Sequence, residues 1–168
     1  MNEPKQTVGE NGNHPPRHFR WLRKILILAL VGVSGMYFLN FSAKRPANLG
    51  VKNGRFTPLA EMPNGVSTQT SKPDQQMDPI PFTGSNTEEM QRIVAAVKSM
   101  PGSKIVEQDG HYLRAEFTSR IFRFVDDVEF FIDDKEKVIQ FRSASRIGYS
   151  DLGVNRRRMN LLCEKINQ

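Results

Sequence analysis

The chain has 168 residues, enough for one domain with a real core plus extra segments, and carries 24 lysines and arginines against 18 acids. Seven of the bases and only two of the acids fall in residues 1–50, leaving 17 and 16 for residues 51–168. The globular part is nearly neutral and lacks the basic face that meets phosphates, which excludes nucleic acid as a partner. A single cysteine, Cys163, excludes an intramolecular disulfide and a cysteine zinc site, and leaves either redox compartment open.

Residues 1–16 are polar, rich in Gly, Asn and Pro, and read as a disordered tail. RHFRWLRK extends this tail to residue 24 as a basic cluster. Ile25 to Phe41 follows as an apolar run without a charge. A buried soluble helix would show a polar face, which this run does not. A cleaved signal peptide wants small residues at −3 and −1, and cleavage after Ala43 would put Phe41 at −3. The expectation is an uncleaved transmembrane anchor over 25–41 at the short end of spanning length. Arg17, Arg20, Arg23 and Lys24 outnumber Lys44 and Arg45, placing the N-terminus in the cytoplasm. The domain is then periplasmic or otherwise extracytoplasmic, attached to the inner membrane by a single pass.

Residues 42–86 are Pro-rich, which rules out a regular helix or a central strand over most of the stretch. Two readings stay open: a plain linker, or an extended segment wrapping the domain with Leu49, Val51, Phe56, Leu59 and Val66 as anchors. The α+β domain is expected over 87–168. Ser85-Asn86-Thr87-Glu88 has the form of a capping box, and Met90, Ile93, Val94 and Val97 recur at helical spacing until Pro101-Gly102. This predicts a helix over 87–100.

Four strand-like runs follow. Lys104–Gln108 ends at the hairpin signal Asp109-Gly110. Tyr112–Thr118 alternates, with Leu113, Ala115 and Phe117 on one face and Tyr112, Arg114 and Glu116 on the other. Phe122–Ile132 puts Asp126 at the parity of its apolar residues and Asp127 with Glu129 on the opposite face. Val138–Ser143 returns after an acidic turn, and a last helix over 155–166 stacks Met159, Leu162, Cys163 and Ile166. The expected fold is α+β: a four-stranded antiparallel sheet flanked by two helices (α-β-β-β-β-α), preceded by the transmembrane helix and the Pro-rich segment.

YLRAEFTSRIFRFVDDVEFFID (Tyr112–Asp133) and RSASRIGYSDLGVNRRR (Arg142–Arg158) resemble the two signature blocks of the domain-of-unknown-function family 1499. RPANLGV (Arg45–Val51) and residues 54–69 resemble its N-terminal blocks. The resemblance implies bacterial-envelope or plastid proteins, with no activity established for the family. One departure stands out. The family carries two cysteines where this chain has Leu59 and Gly65.

The chemistry-bearing candidates lie in the second block. A buried Asp126 needs a partner, which Arg142 or Arg146 could supply. Asp127 and Glu129 share a face but lack a third metal ligand. Arg156, Arg157 and Arg158 fall in the first turn of the last helix, where free N–H groups and guanidinium groups suit a phosphate or carboxylate. His111, beside the Asp109-Gly110 turn, is the one histidine of the domain and supports no triad. Arg142, Arg146, Arg156, Arg157, Arg158, Asp127 and Glu129 are therefore the candidate ligand-binding residues, with no catalytic residue, metal or cofactor assigned. The expected function is a non-enzymatic, membrane-anchored envelope module that binds through this arginine-rich surface. Its candidate partners are the membrane, an anionic small molecule or lipid headgroup, and an envelope protein. The alternative is an enzyme acting on an anionic envelope metabolite or lipid headgroup, with Asp127, Glu129 and Arg142 in its site.

Overall fold

A computed structural model describes residues 17–41 and 45–168, so the expected disordered tail, residues 1–16, lies outside the described residues. Helix α1 runs Arg17–Phe41 and takes in the basic cluster. Among the described residues, no helix is long and apolar enough to cross a membrane, which overturns the expected transmembrane anchor. At 1.5 Å per residue the apolar run Ile25–Phe41 rises only about 26 Å, short of a hydrocarbon core of about 30 Å. Gly32, Ser34, Gly35 and Asn40 dilute it further.

The domain is built on strands β1 (Val51–Lys52), β2 (Arg55–Phe56), β3 (Gly65–Ser67), β4 (Ile80–Pro81), β5 (Ser103–Gln108), β6 (Tyr112–Thr118), β7 (Val125–Asp133) and β8 (Val138–Ser145), with helices α2 (Asn86–Ser99) and α3 (Val154–Ile166). β5, β6, β7 and β8 form the expected meander, but the sheet has six strands where four were expected. β3 and β4 both pair antiparallel with the outer edge of β8, at Val66↔Ser143 and Ile80↔Ile139. A β8 edge left bare would expose unpaired backbone groups, and the Pro-rich segment caps it with pieces too short to show alternation. Pro81 is tolerated because it lies on an edge. β1 and β2 form a separate hairpin across Asn53-Gly54, both at positive φ, as a two-residue primed turn requires.

Both helices lie on one face of the sheet. Ile93 and Val97 of α2 and Met159, Leu162 and Ile166 of α3 join Leu113, Val128, Phe130, Ile132, Ile139 and Phe141 in one buried cluster. α2 starts with the capping box, Ser85 accepting from Glu88 N and Glu88 reaching back to Ser85. The opposite face is covered by residues 45–59, a strap running along the sheet with Phe56 and Leu59 buried. The third meander strand begins at Val125 rather than Phe122. Arg123 is left-handed (φ 59), and Ser119 holds both the N–H and the carbonyl of Phe124, so residues 119–124 form a loop.

Candidate functional site

Strand alternation and register line up four charges across the strap face. Glu107 pairs with Arg114, Arg114 with Glu129 and Glu129 with Arg142, so the row alternates sign over four strands. Its centre is dry: Glu129 is fully buried and Arg114 and Arg142 are 5% and 8% exposed. Such burial is tolerated only with partners. Glu129 accepts from Arg142 Nη1 at 3.1 Å, the Tyr112 hydroxyl at 2.8 Å and the Gly50 amide of the strap at 2.7 Å. Burial, then the charge of Glu129, push the Tyr112 phenol well up, so it remains a donor. Arg114 Nη1 and Arg142 Nε are buried without an acceptor, leaving the row richer in donors than in acceptors.

One row nearer the loops, Arg146 forks onto Asp127, Nε to Oδ2 and Nη2 to Oδ1 both at 2.8 Å, and reaches Glu116 at 2.6 Å. The bond to Asp127 is the main cause that raises the Arg146 guanidinium above its ordinary value. Arg45, at the start of the strap, also holds Glu116 at 2.8 Å. Burial works against the charge of Glu116, but Arg146 and Arg45 together outweigh it and keep the carboxyl below its usual range.

On the helix face, Asp126 takes a partner other than the expected ones. Arg158 reaches it at 2.6 Å while stacking over the Phe117 ring at 4.8 Å. Asn155, fully buried, ties this corner to Asn64 O and Ser145 Oγ, both at 3.1 Å. The three consecutive arginines diverge. Arg156 holds the carbonyls of Asp74 and Gln76 at 2.8 and 3.0 Å, and Arg157 holds Leu152 O at 3.0 Å. The amides expected to be free at the start of α3 are engaged too, since the Asp151 carboxylate accepts from Gly153 N at 3.0 Å and Asn155 N at 2.7 Å.

The structure thus brings Asp127, Glu129, Arg142 and Arg146 together under the strap and keeps Arg156, Arg157 and Arg158 apart. Sequence reasoning missed Tyr112, Arg114 and Glu116 as members of the network. Their parity on β6 was the available signal, because it matches that of Asp127 and Glu129 on β7. Arg45 and the Gly50 amide carried no such signal.

Two other groups are poorly placed for catalysis. Cys163 is half-buried, and burial pushes its thiol up to about 11, so little thiolate forms near neutrality. His111 Nε2 lies 2.9 Å from Asn86 Nδ2 on an exposed turn. The outward-facing chemistry collects where the loops 119–124 and 146–153 leave the sheet. Arg146 N donates to Val125 O at the start of β7, so the two loops leave the sheet side by side. Ile121, Tyr149 and Leu152 are 78%, 74% and 83% exposed. Arg120 and Arg157, both exposed, are in no ion pair among the described residues.

The family described as "Protein of unknown function (DUF1499)" matches residues 55–166, two thirds of the chain, and the chain belongs to that family. No curated protein matches it. At the two positions where the sequence departs from the expected cysteines, a Cβ built on Gly65 would lie 3.0 Å from Leu59 Cδ2 and 2.8 Å from Ala144 Cβ. The two positions are therefore neighbours, and the Leu59 side chain, together with Ala144, leaves no room for a side chain at Gly65.

Proposed function

We propose that the domain is a non-enzymatic binding module that meets an anionic surface, that of lipid headgroups, through the loop end of its sheet. The observation that carries this reading is the company kept by the exposed residues at that end. Three large apolar side chains stand in solvent beside Arg120 and Arg157, and the one carboxylate of residues 146–157, Asp151, is spent on capping α3. Apolar tips set among cations suit the boundary between headgroups and acyl chains, where each lysine or arginine contributes about 1 kcal/mol near an anionic leaflet. Of the arginines marked by the sequence, Arg157 belongs to this surface. Arg142, Arg146 and Arg158 hold the scaffold, and Arg156 pins residues 74–76. The enzyme alternative needs Asp127, Glu129 and Arg142 to converge on open space, whereas all three are more than nine-tenths buried in ion pairs.

The test uses the full chain with Trp21→Phe and Tyr149→Trp, so that one indole reports on this loop. Vesicles containing phosphatidylglycerol should shift its emission to the blue, and Arg120→Ala with Arg157→Ala should weaken that binding by roughly tenfold or more. If the chain sediments with the vesicles while the indole stays in water, the loop end is not the contact.

A further inference from the structure

At the opposite end of the sheet, an open groove of about 800 Å³ lies between the β1–β2 hairpin and the β7–β8 turn. Its size falls in the range of small-molecule sites, roughly 300–1,000 Å³. Arg55 from the hairpin, Lys135 from the turn, His111 and the half-buried Phe131 ring line it, together with Asp133 and Asp134. By formal charge the groove is balanced. By available bonding it is not.

Both acids are already committed to the chain's own donors. Asp133 Oδ1 accepts from the amides of Lys135 and Glu136 at 3.1 and 3.3 Å. Asp134 accepts from Lys137 Nζ at 2.6 Å, and that ammonium holds its carboxyl below the usual range. Gln69 is spent as well, bridging Phe56 N and Gly54 O. Arg55 and Lys135, by contrast, are in no ion pair among the described residues. What the groove offers a visitor is therefore two cations outside any ion pair and an aromatic wall, the His111 Nε2 edge being engaged by Asn86 Nδ2 at 2.9 Å. The Asn53-Gly54 turn fixes the backbone beside Arg55, so one of the two cations stands on a rigid support.

We infer that this groove binds a small organic anion, a carboxylate or phosphate on a compact apolar body, with Arg55 and Lys135 facing the charge and Phe131 facing the body. It lies at the other end of the sheet from the loop surface and does not depend on that surface's role.

Isothermal titration of the full chain with phenyl phosphate, benzoate, inorganic phosphate and benzylamine tests this. Phenyl phosphate and benzoate should bind, inorganic phosphate more weakly, and benzylamine not measurably. Arg55→Ala with Lys135→Ala should weaken phenyl phosphate at least tenfold, and both sites are exposed enough to leave the melting temperature in place. Phe131→Ala should lower affinity for the two aromatic anions and leave inorganic phosphate alone. Equal binding of benzylamine, unchanged affinity in the double variant, or no anion binding at all would each overturn the assignment. Arg120→Ala with Arg157→Ala should leave these titrations as they are, which separates this site from the lipid-facing one.

Discussion

The two faces of the central sheet are both buried, and they are buried by opposite means. The helix face is covered by α2 and α3 through Leu113, Val128, Phe130, Ile139 and Phe141, an apolar layer whose stability comes from area removed from water. The strap face carries Glu107, Arg114, Glu116, Glu129, Arg142, Asp127 and Arg146, and its cover, residues 45–59, meets those charges through Gly50 N on Glu129 and Arg45 on Glu116. An apolar layer accepts any complementary surface, whereas a charge row accepts a cover only in one register. The contrast teaches that the charges of the family signature contribute the placement of residues 45–59 more than net stability, since a buried ion pair seldom outperforms an apolar one.

The largest expected effect breaks the comparison at neighbouring positions on one strand. Phe130→Ala leaves a cavity on the helix face and should cost about 3–5 kcal/mol. Glu129→Ala should cost a similar amount, about 3–5 kcal/mol, because it strands Arg142 in a dry site along with the Tyr112 hydroxyl and the Gly50 amide. The remedy distinguishes them. Adding Arg142→Ala to Glu129→Ala removes the stranded charge and should recover part of the loss in urea titrations. A double variant no more stable than Glu129→Ala alone would sink the claim that orphaned charge dominates.

The apolar face was legible in the sequence and the strap face only half so, for a reason visible at particular residues. Ile93, Val97, Met159, Leu162 and Ile166 repeat at helical spacing, and Leu113, Ala115 and Phe117 at strand spacing, so period alone finds the core and the order from α2 to α3. Asp127 and Glu129 were placed on the correct face by the same parity. What period could not supply was the partner from far along the chain. Gly50 reaches Glu129 across 79 residues and Arg45 reaches Glu116 across 71. Likewise β3 and β4 are three and two residues long, too short to alternate, although Asn53-Gly54 did carry the hairpin signal for β1 and β2. The three arginines at the start of α3 looked convergent because helical spacing says where side chains leave the backbone. It does not say that Asp151 has already taken the amides or that Arg158 turns inward to Asp126.

A smaller effect sharpens the comparison through pH, to which an apolar layer is indifferent. The carboxyl of Glu116 sits below its ordinary 4.5 in the folded protein, so its contribution is fully present above that value and fades as pH falls through the folded one. Glu116→Gln should therefore cost on the order of 1–2 kcal/mol at neutral pH, the scale of a hydrogen bond to a charged group. Its stability should then fall less than that of the unaltered chain on acidification below pH 4.5. Parallel acid titrations of the two proteins would place the pair outside the stability balance.

The smallest expected effect tests whether the strap is one unit or a series of local attachments. Arg45 is 51% exposed at its side chain, so solvent screens its pair with Glu116, and Arg45→Ala should change global stability by less than about 1 kcal/mol. Arg146 still holds Glu116 in that variant, and the Gly50 amide still meets Glu129. Amide exchange should accelerate at residues 45–49 and stay slow at Gly50, because the bond of Gly50 to the buried carboxylate is independent of the surface pair. Exchange that accelerates together from residue 45 through Phe56 would mean instead that the strap lifts as one body, with Arg45 as its latch.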